Sequence, residues 1–176
     1  ALNKNTTANN NTAVGYLALF ENTTATNNCA VGRSALQANT TGTQNTAIGG
    51  NTLVASNASY STALGYAVLT ANTTGNHNTG LGKMALYANT TGTQNTAVAS
   101  NSLYTNTTGN YNTALGYSTL NGSNGSYNIA VGVNALLNNT TADYNIGIGY
   151  GALSANTTGT RNTAIGHYAA DGITTV

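Results

Sequence analysis

The stretch NTTGTQNTAIGG at residues 39–50 returns as NTTGTQNTAVAS at 89–100 and, loosened, as NTTGTRNTAIGH at 156–167. A fixed period makes each copy one structural unit, so the repeat decides the architecture before any single motif does. Taking the residue after each NTA(V/I/L) as a marker gives Gly15, Gly32, Gly49, Gly65, Gly82, Ala99, Gly116, Gly132, Gly149 and Gly166. The step is 17 residues, shortened to 16 at two places. In this register Val14, Val31, Ile48, Leu64, Leu81, Val98, Leu115, Val131, Ile148 and Ile165 form one aliphatic row. Leu2, Leu19, Leu36, Leu53, Leu69, Leu86, Leu103, Leu120, Leu136 and Leu153 form a second. A third is Asn at every level from Asn11 to Asn162 except Ser61. Residues 1–176 therefore read as one array, with 167–176 as a divergent end or transition.

Only four residues are Lys or Arg and three are Asp or Glu, with no Pro and no Trp. A chain so poor in charge has no basic face for nucleic acid. It has no apolar run of membrane-spanning length and no basic-then-apolar leader. Low charge with abundant Asn, Thr and Gly also fits a disordered tract, but disorder does not hold aliphatic residues in fixed phase. Helical repeats are disfavoured because Gly, Thr and Asn are poor helix formers. The alternation in TAIG puts Thr46 with Ile48 on one face and Ala47 with Gly49 on the other, which is the period of a strand.

These readings predict an all-β fold: a parallel β-solenoid or β-roll of about ten 17-residue coils, each stacked about 4.8 Å above the last. The row from Val14 to Ile165 is expected to be the core ladder, since no single repeat can bury it alone. The Asn row is expected to pair amide to amide along the stack. Gly42, Gly75, Gly92, Gly109 and Gly159, after Thr-Thr, are suited to positive φ at the second bend. The Ala and Gly row running from Ala13 to Ala164 suits a place where another backbone comes close.

The segments NTAVGYLAL, NTAIGGNTL, NTALGYSTL and NIAVGVNAL resemble the N-(S/T)-x-A-(I/V)-G coils of trimeric autotransporter adhesin heads. The longer unit with ALxxNTTG is similar to repeats of phage-type tail fibres and large bacterial surface proteins. The resemblance covers nearly the whole chain. It implies a left-handed parallel β-roll with three chains around one axis, the NTAIG strand lining the shared interior. A single-chain triangular β-helix carries a similar pattern, so the number of chains stays open at this point.

No constellation in the sequence points to catalysis, a cofactor or a metal, and an enzyme is the least expected class. Cys29 substitutes for Thr in its row and reads as a small half-buried residue. His77 and His167 fall in different rows, and Glu21, Asp143 and Asp171 fall at different parts of the repeat, so neither ligands nor an acid pair converge. GKM at 82–84 is only an echo of a phosphate loop. Asn22, Asn39, Asn72, Asn89, Asn106, Asn139 and Asn156 stand in N-T-T sequons at an expected outward bend, where glycans would line one edge. Tyr16, Tyr66, Tyr117 and Tyr150 follow the marker, and Tyr60, Tyr111, Tyr127 and Tyr144 precede the Asn row. Their expected role is ladder packing, with stacking on sugars as the alternative.

The expected function is an extracellular or cell-surface structural and adhesive fibre or spike segment, bacterial or phage-like, self-associating as a homotrimer and binding a cell-surface or glycan target. Alternatives are an ice-binding solenoid, from the pairs Thr41/Thr43, Thr91/Thr93 and Thr158/Thr160, and a glycan-binding module using the Tyr rows. The chain begins in mid-repeat, which reads as a mature or excised part of something longer or as a segment that stacks end to end in filaments. The short turns around Ser56–Ser61 and Ser123–Asn128 are expected to be tightened loops without chemistry.

Overall fold

A computed structural model of the chain describes residues 1–175. Among them are ten strands of three residues each: β1 (Thr12–Val14), β2 (Cys29–Val31), β3 (Thr46–Ile48), β4 (Thr62–Leu64), β5 (Thr79–Leu81), β6 (Thr96–Val98), β7 (Thr113–Leu115), β8 (Ile129–Val131), β9 (Ile146–Ile148) and β10 (Thr163–Ile165). They form one ten-stranded sheet in sequence order. Each pairing is parallel and joins equivalent positions, as in Ala30 with Ala47 and Val31 with Ile48. At the short turns the register steps by 16, pairing Thr46 with Thr62 and Thr113 with Ile129. The chain is the parallel β-solenoid that the period predicts.

Most of each coil is turn, and the turns stack by the same rule as the strands. The N–H of each residue in the row from Leu2 to Leu153 defined above donates to a carbonyl of the next coil, for example Leu19 to Ala35 at 3.0 Å and Leu86 to Ser102 at 3.0 Å. Three rows of mostly non-glycine residues sit in left-handed backbone, typified by Ser34 (φ 58°), Leu36 (φ 50°) and Gln44 (φ 59°). An isolated residue loses roughly 1–2 kcal/mol in that region. Here the inter-coil bonds on both sides of each bend hold it there.

The core differs from the predicted one. The strands do alternate as expected, but the row Val14, Val31, Ile48, Leu64, Leu81, Val98, Leu115, Val131, Ile148 and Ile165 lies on the outer face. Val14 is 57% exposed, Leu64 44% and Ile165 69%, while Val31, Leu81, Val98 and Val131 are half-buried. The interior belongs to the Leu row, buried from Leu19 to Leu153, and to the Ala row of the strands. The reason is width. The Leu side chains cross a coil so narrow that the strand opposite has space for a methyl group and no more.

That limit is visible where one row changes. Val68 takes a position held by Ala35, Ala85 and Ala135 in other coils, and there the strand Ala shrinks to Gly80. A Cβ on Gly80 would lie 2.5 Å from Val68 Cγ1. The two substitutions compensate each other in volume.

A second correction concerns glycine. Gly42, Gly75, Gly92, Gly109 and Gly159 are not in positive φ; the marker row is, from Gly15 (φ 125°) to Gly166 (φ 129°), with Ala99 at φ 103°. The residue after Thr-Thr is small for another reason: the next coil closes over it, and a Cβ on Gly92 would be 2.5 Å from the Gly109 carbonyl oxygen.

The short turns lose a residue and replace its function with a side chain. In full coils Thr73 and Thr90 donate their N–H groups to the carbonyls of Thr90 and Thr107. At the first short turn the N–H and hydroxyl of Thr40 both donate to Asn57 Oδ1, at 2.8 and 2.9 Å. Asn124 does the same for Thr107. A side-chain amide oxygen thus stands where the missing backbone carbonyl would be.

The Gly80–Val68 pair provides a test of the core. Gly80→Ala should destabilise the array by about 1–3 kcal/mol through overpacking. In a Val68→Ala background most of that cost should vanish, so a double-mutant cycle by urea denaturation is expected to be strongly non-additive.

Candidate functional surface

Local chemistry first fixes which groups are turned inward and so removed from function. Asn28 Oδ1 accepts the N–H of Asn45 at 2.9 Å, and Asn28 Nδ2 donates to the carbonyl of Gly42 at 2.9 Å. Asn95 repeats both bonds, to Asn112 N–H at 3.0 Å and to the Gly109 carbonyl at 2.8 Å. The predicted Asn ladder therefore exists, but its amides pair chiefly with backbone, and the one amide-to-amide bond in the row is Asn128 Nδ2 to Asn112 Oδ1 at 3.3 Å. Where Ser61 interrupts the row, its hydroxyl accepts from Asn78 N–H, and Asn78 Nδ2 donates to both the Gly75 and Gly92 carbonyls.

Amide-to-amide pairing recurs in the sequon row. Asn89 Nδ2 donates to Asn72 Oδ1 and Asn106 Nδ2 to Asn89 Oδ1, both at 2.9 Å. The same amides donate to the carbonyl three residues on, Asn39 to Gly42 and Asn156 to Gly159. Asn22, Asn39, Asn72, Asn89, Asn106, Asn139 and Asn156 are all fully buried. The expected outward bend is thus an inward one, and the folded coil has no room for a glycan on Nδ2. The Oδ1 atoms of Asn22, Asn106 and Asn156 are buried without a partner.

The Thr side chains of this turn are also engaged. Hydroxyls of Thr73, Thr90, Thr140 and Thr157 donate to carbonyls one coil on. In the Thr-x-Thr pairs, Thr93 Oγ1 bonds Asn110 Oδ1 at 3.0 Å and Thr43 Oγ1 lies 3.5 Å from Ser59 Oγ. Of the hydroxyl array envisaged for ice, Thr43 and Thr93 are engaged in holding coils together, while Thr41, Thr91, Thr158 and Thr160 are exposed.

What remains free is concentrated on one side. Among the described residues, every exposed large apolar side chain falls within eight positions of the repeat, from the residue before the Asn row to the second after the marker. The strands present Thr and Val/Ile/Leu outward, and a Tyr-containing row borders them on each side. The row before the strand stacks: Tyr111 with Tyr127 at 4.8 Å between ring centroids, Tyr127 with Tyr144 at 4.9 Å, and the Arg161 guanidinium 5.7 Å over Tyr144. Tyr60 and His77 stack at 4.8 Å with 3° between planes. Stacked rings cover one another's faces and offer edges and hydroxyls to the solvent. Sugar stacking needs a free face, so the geometry of this row fits ladder packing; in the row after the marker Tyr150 stacks on His167, while Tyr16, Tyr66 and Tyr117 are exposed with no stacked ring partner.

The charged groups do not converge. Lys4 pairs with Glu21 at 2.6 Å on the other side of the coil, and Asp143 Oδ1 accepts the N–H of Ser126. Among the described residues there is no pocket, no group of three His, Cys, Asp or Glu side chains placed to hold a metal, and no helix long and apolar enough to cross a membrane. Cys29 is half-buried on the outer strand face. No family model, no curated protein and no solved structure matches the chain.

The sequence reading missed this one-sided face because it assigned the larger aliphatic row to the interior. A usable signal was present: the Leu row already supplied a complete core, leaving the second aliphatic row without a place inside.

The Asn row predicts a measurable cost. Asn45 accepts from Ser61 N–H at 3.0 Å and donates to the Ala58 carbonyl at 2.7 Å, both buried. Asn45→Ala strands those two groups and should cost about 2–5 kcal/mol, taking about 1–3 for each unsatisfied group. Thr24→Ala, in an exposed turn position, should cost under about 1 kcal/mol. Thermal melts of the two variants check this.

Proposed function

We propose that the chain is a rigid segment of an extracellular fibre or spike, built from copies that pack side by side through the strand face, three around one axis. The observation that carries this is the one-sidedness of the apolar surface. Ten coils at about 4.8 Å give a face near 48 Å long. With five or six extended positions across, near 3.3 Å each, that is on the order of 800 Å², about what one partner contributes to a stable interface. Along that face the row from Val14 to Ile165 makes a continuous aliphatic stripe beside the outward Thr row, and exposed apolar surface of this kind marks an interaction site.

The likeness of the NTA(V/I)G coils to adhesin heads supports three chains and a left-handed roll, and the low charge supports a structural role. The opposite side, with Asn, Thr and Ala at successive levels, would be the repetitive outer surface that meets a cell-surface or glycan target. Filament growth through the coil ends is compatible with the same parallel stacking.

A second reading rests on one feature of the same face. Thr46, Thr62, Thr79, Thr96 and Thr113 form a run of adjacent outward strand positions, a regular row of the kind an ice-binding surface would need. The two readings make opposite demands, since one covers the face with protein and the other leaves it to water.

Sedimentation equilibrium and a thermal hysteresis assay on the same sample separate them. A trimer without hysteresis is expected. Ile48→Asp, on the outer face, should leave the coil folded by circular dichroism and convert the trimer to monomer, because the charge is solvated in the single chain and buried only on association. A monomeric parent chain would overturn the proposal, and a monomer with hysteresis at micromolar concentration would install the ice-binding reading.

A further inference from the structure

The amides of the two inward Asn rows donate through Nδ2 to buried carbonyls, as Asn112 does to Gly125 at 2.8 Å and Asn139 to Ala142 at 2.9 Å. Neither row can lose its NH2 groups and keep its bonds. Asn57 and Asn124, which complete the two short turns, are used at the oxygen only. Asn124 Oδ1 accepts the N–H and the hydroxyl of Thr107, each at 2.7 Å. The residue is exposed, and its Nδ2 donates to nothing among the described residues.

An amide used only as an acceptor can be exchanged for a carboxylate, and the array contains that exchange. In the row two residues before the Asn ladder, Asn76 and Asn110 accept the N–H groups of Ser59 and Thr93, each at 2.7 Å, and Asp143 accepts that of Ser126 at the same distance. A carboxylate makes such a bond at least as well as an amide oxygen.

The chain holds two Asn-Gly dipeptides, both in the second short turn: Asn121-Gly122 and Asn124-Gly125. The missing Cβ of the glycine leaves its backbone nitrogen open to the carbonyl carbon of the Asn side chain before it. The surroundings of the two differ. Thr107 gives Asn124 Oδ1 two donors, which polarise the carbonyl carbon and stabilise the charge that develops on oxygen when a nucleophile adds. The Gly125 N–H donates to Ser123 Oγ at 3.1 Å, a hydroxyl able to pass a proton on. Asn121 Oδ1 has no donor among the described residues, its Nδ2 is held by the Asn101 carbonyl at 3.1 Å, and the Gly122 N–H is committed to the Leu137 carbonyl at 3.2 Å. The first short turn repeats the bonds of Asn124, with Thr40 on Asn57 Oδ1 and the next N–H on Ser56 Oγ, but Ala58 replaces the glycine.

We propose that Asn124 is a self-modifying site, at which the folded coil loses ammonia and gains a carboxylate while the turn persists. The Gly125 nitrogen bonds to Asn124 Cγ, the Cγ–Nδ2 bond breaks, and the Gly125 proton, relayed through Ser123 Oγ, ends on the departing ammonia. The cyclic imide then takes up one water. Opening at Cγ gives aspartate, which keeps both Thr107 bonds. Opening at the main-chain carbonyl sends the chain through the side chain and lengthens by one atom a turn that is one residue short. Either product takes the formal net charge from +1 to zero. Asn124 lies outside the eight positions of the apolar face, so the new charge marks the age of a chain without touching that face.

The test follows the full chain, folded, at mildly alkaline pH in water of heavy oxygen, with mass analysis of its peptides over time. Label is expected first at Asn124, at least about tenfold faster than at Asn121, and not at Asn57 over the same period. In urea the two Asn-Gly sites should convert at similar rates, because the unfolded chain gives Asn124 no donors of its own. Ala58→Gly moves the reactive dipeptide into the first short turn and should bring Asn57 up to the rate of Asn124. Asn124→Asp should melt within about 2 °C of the parent chain. Equal rates at Asn124 and Asn121 in the folded chain, conversion of Asn124 only after unfolding, or an Ala58→Gly chain in which Asn57 is no faster than Asn121 would overturn the site. A melt of Asn124→Asp lowered as far as that of Asn124→Ala would overturn the persistence of the turn.

Discussion

The structure depends on one bond pair repeated up the stack: an Asn side chain at the entrance to most strands that accepts the N–H of the residue one level on and donates to the carbonyl three residues before that N–H. Asn28, Asn45, Asn95, Asn112, Asn128 and Asn145 all make both. Asn suits the position because one short planar group carries an acceptor and two donors. A carboxylate would lack the donor and bring a buried charge, and Ser reaches only one of the partners. With the entrance to the strand pinned, the three left-handed bends per coil are held by their neighbours above and below, and backbone conformations that are costly singly become the standing form of the turn.

The coil is also narrow, spanned by one Leu side chain per turn, and the narrowness explains much of the rest. A thin interior accepts one Leu per turn with Ala opposite, and it excludes the second aliphatic row and the Tyr side chains. Those are left on the outer strand face. Exposed apolar surface on one side is therefore not an isolated feature added to the fold. It follows from a repeat that carries more large apolar side chains than its own core can hold.

Much of this was legible in the sequence. The period, the parallel coils, the strand at NTA(V/I/L)G and the importance of Asn all follow from spacing and residue chemistry. Two things were not. Alternation along three strand residues says that Ala47 and Ile48 face opposite ways, but not which way is in; the width of the coil decides that, and width is set by the Leu side chains crossing from the far arm. The sequons likewise read as exposed turn chemistry. N-T-T does form a turn, yet Asn39 points back into it to bond the Gly42 carbonyl. Orientation at a bend depends on left-handed residues such as Leu36 and Gln44, which carry no compositional mark.

The central claim is that the outer strand face is covered by other copies of the chain. Cys29, the one cysteine of the sequence, sits half-buried in that face, so its alkylation rate measured against protein concentration is the most direct probe. The account predicts rapid labelling at high dilution and strong protection, by tenfold or more, as the chains associate. Labelling at one rate across all concentrations, in a sample that remains folded, would contradict it.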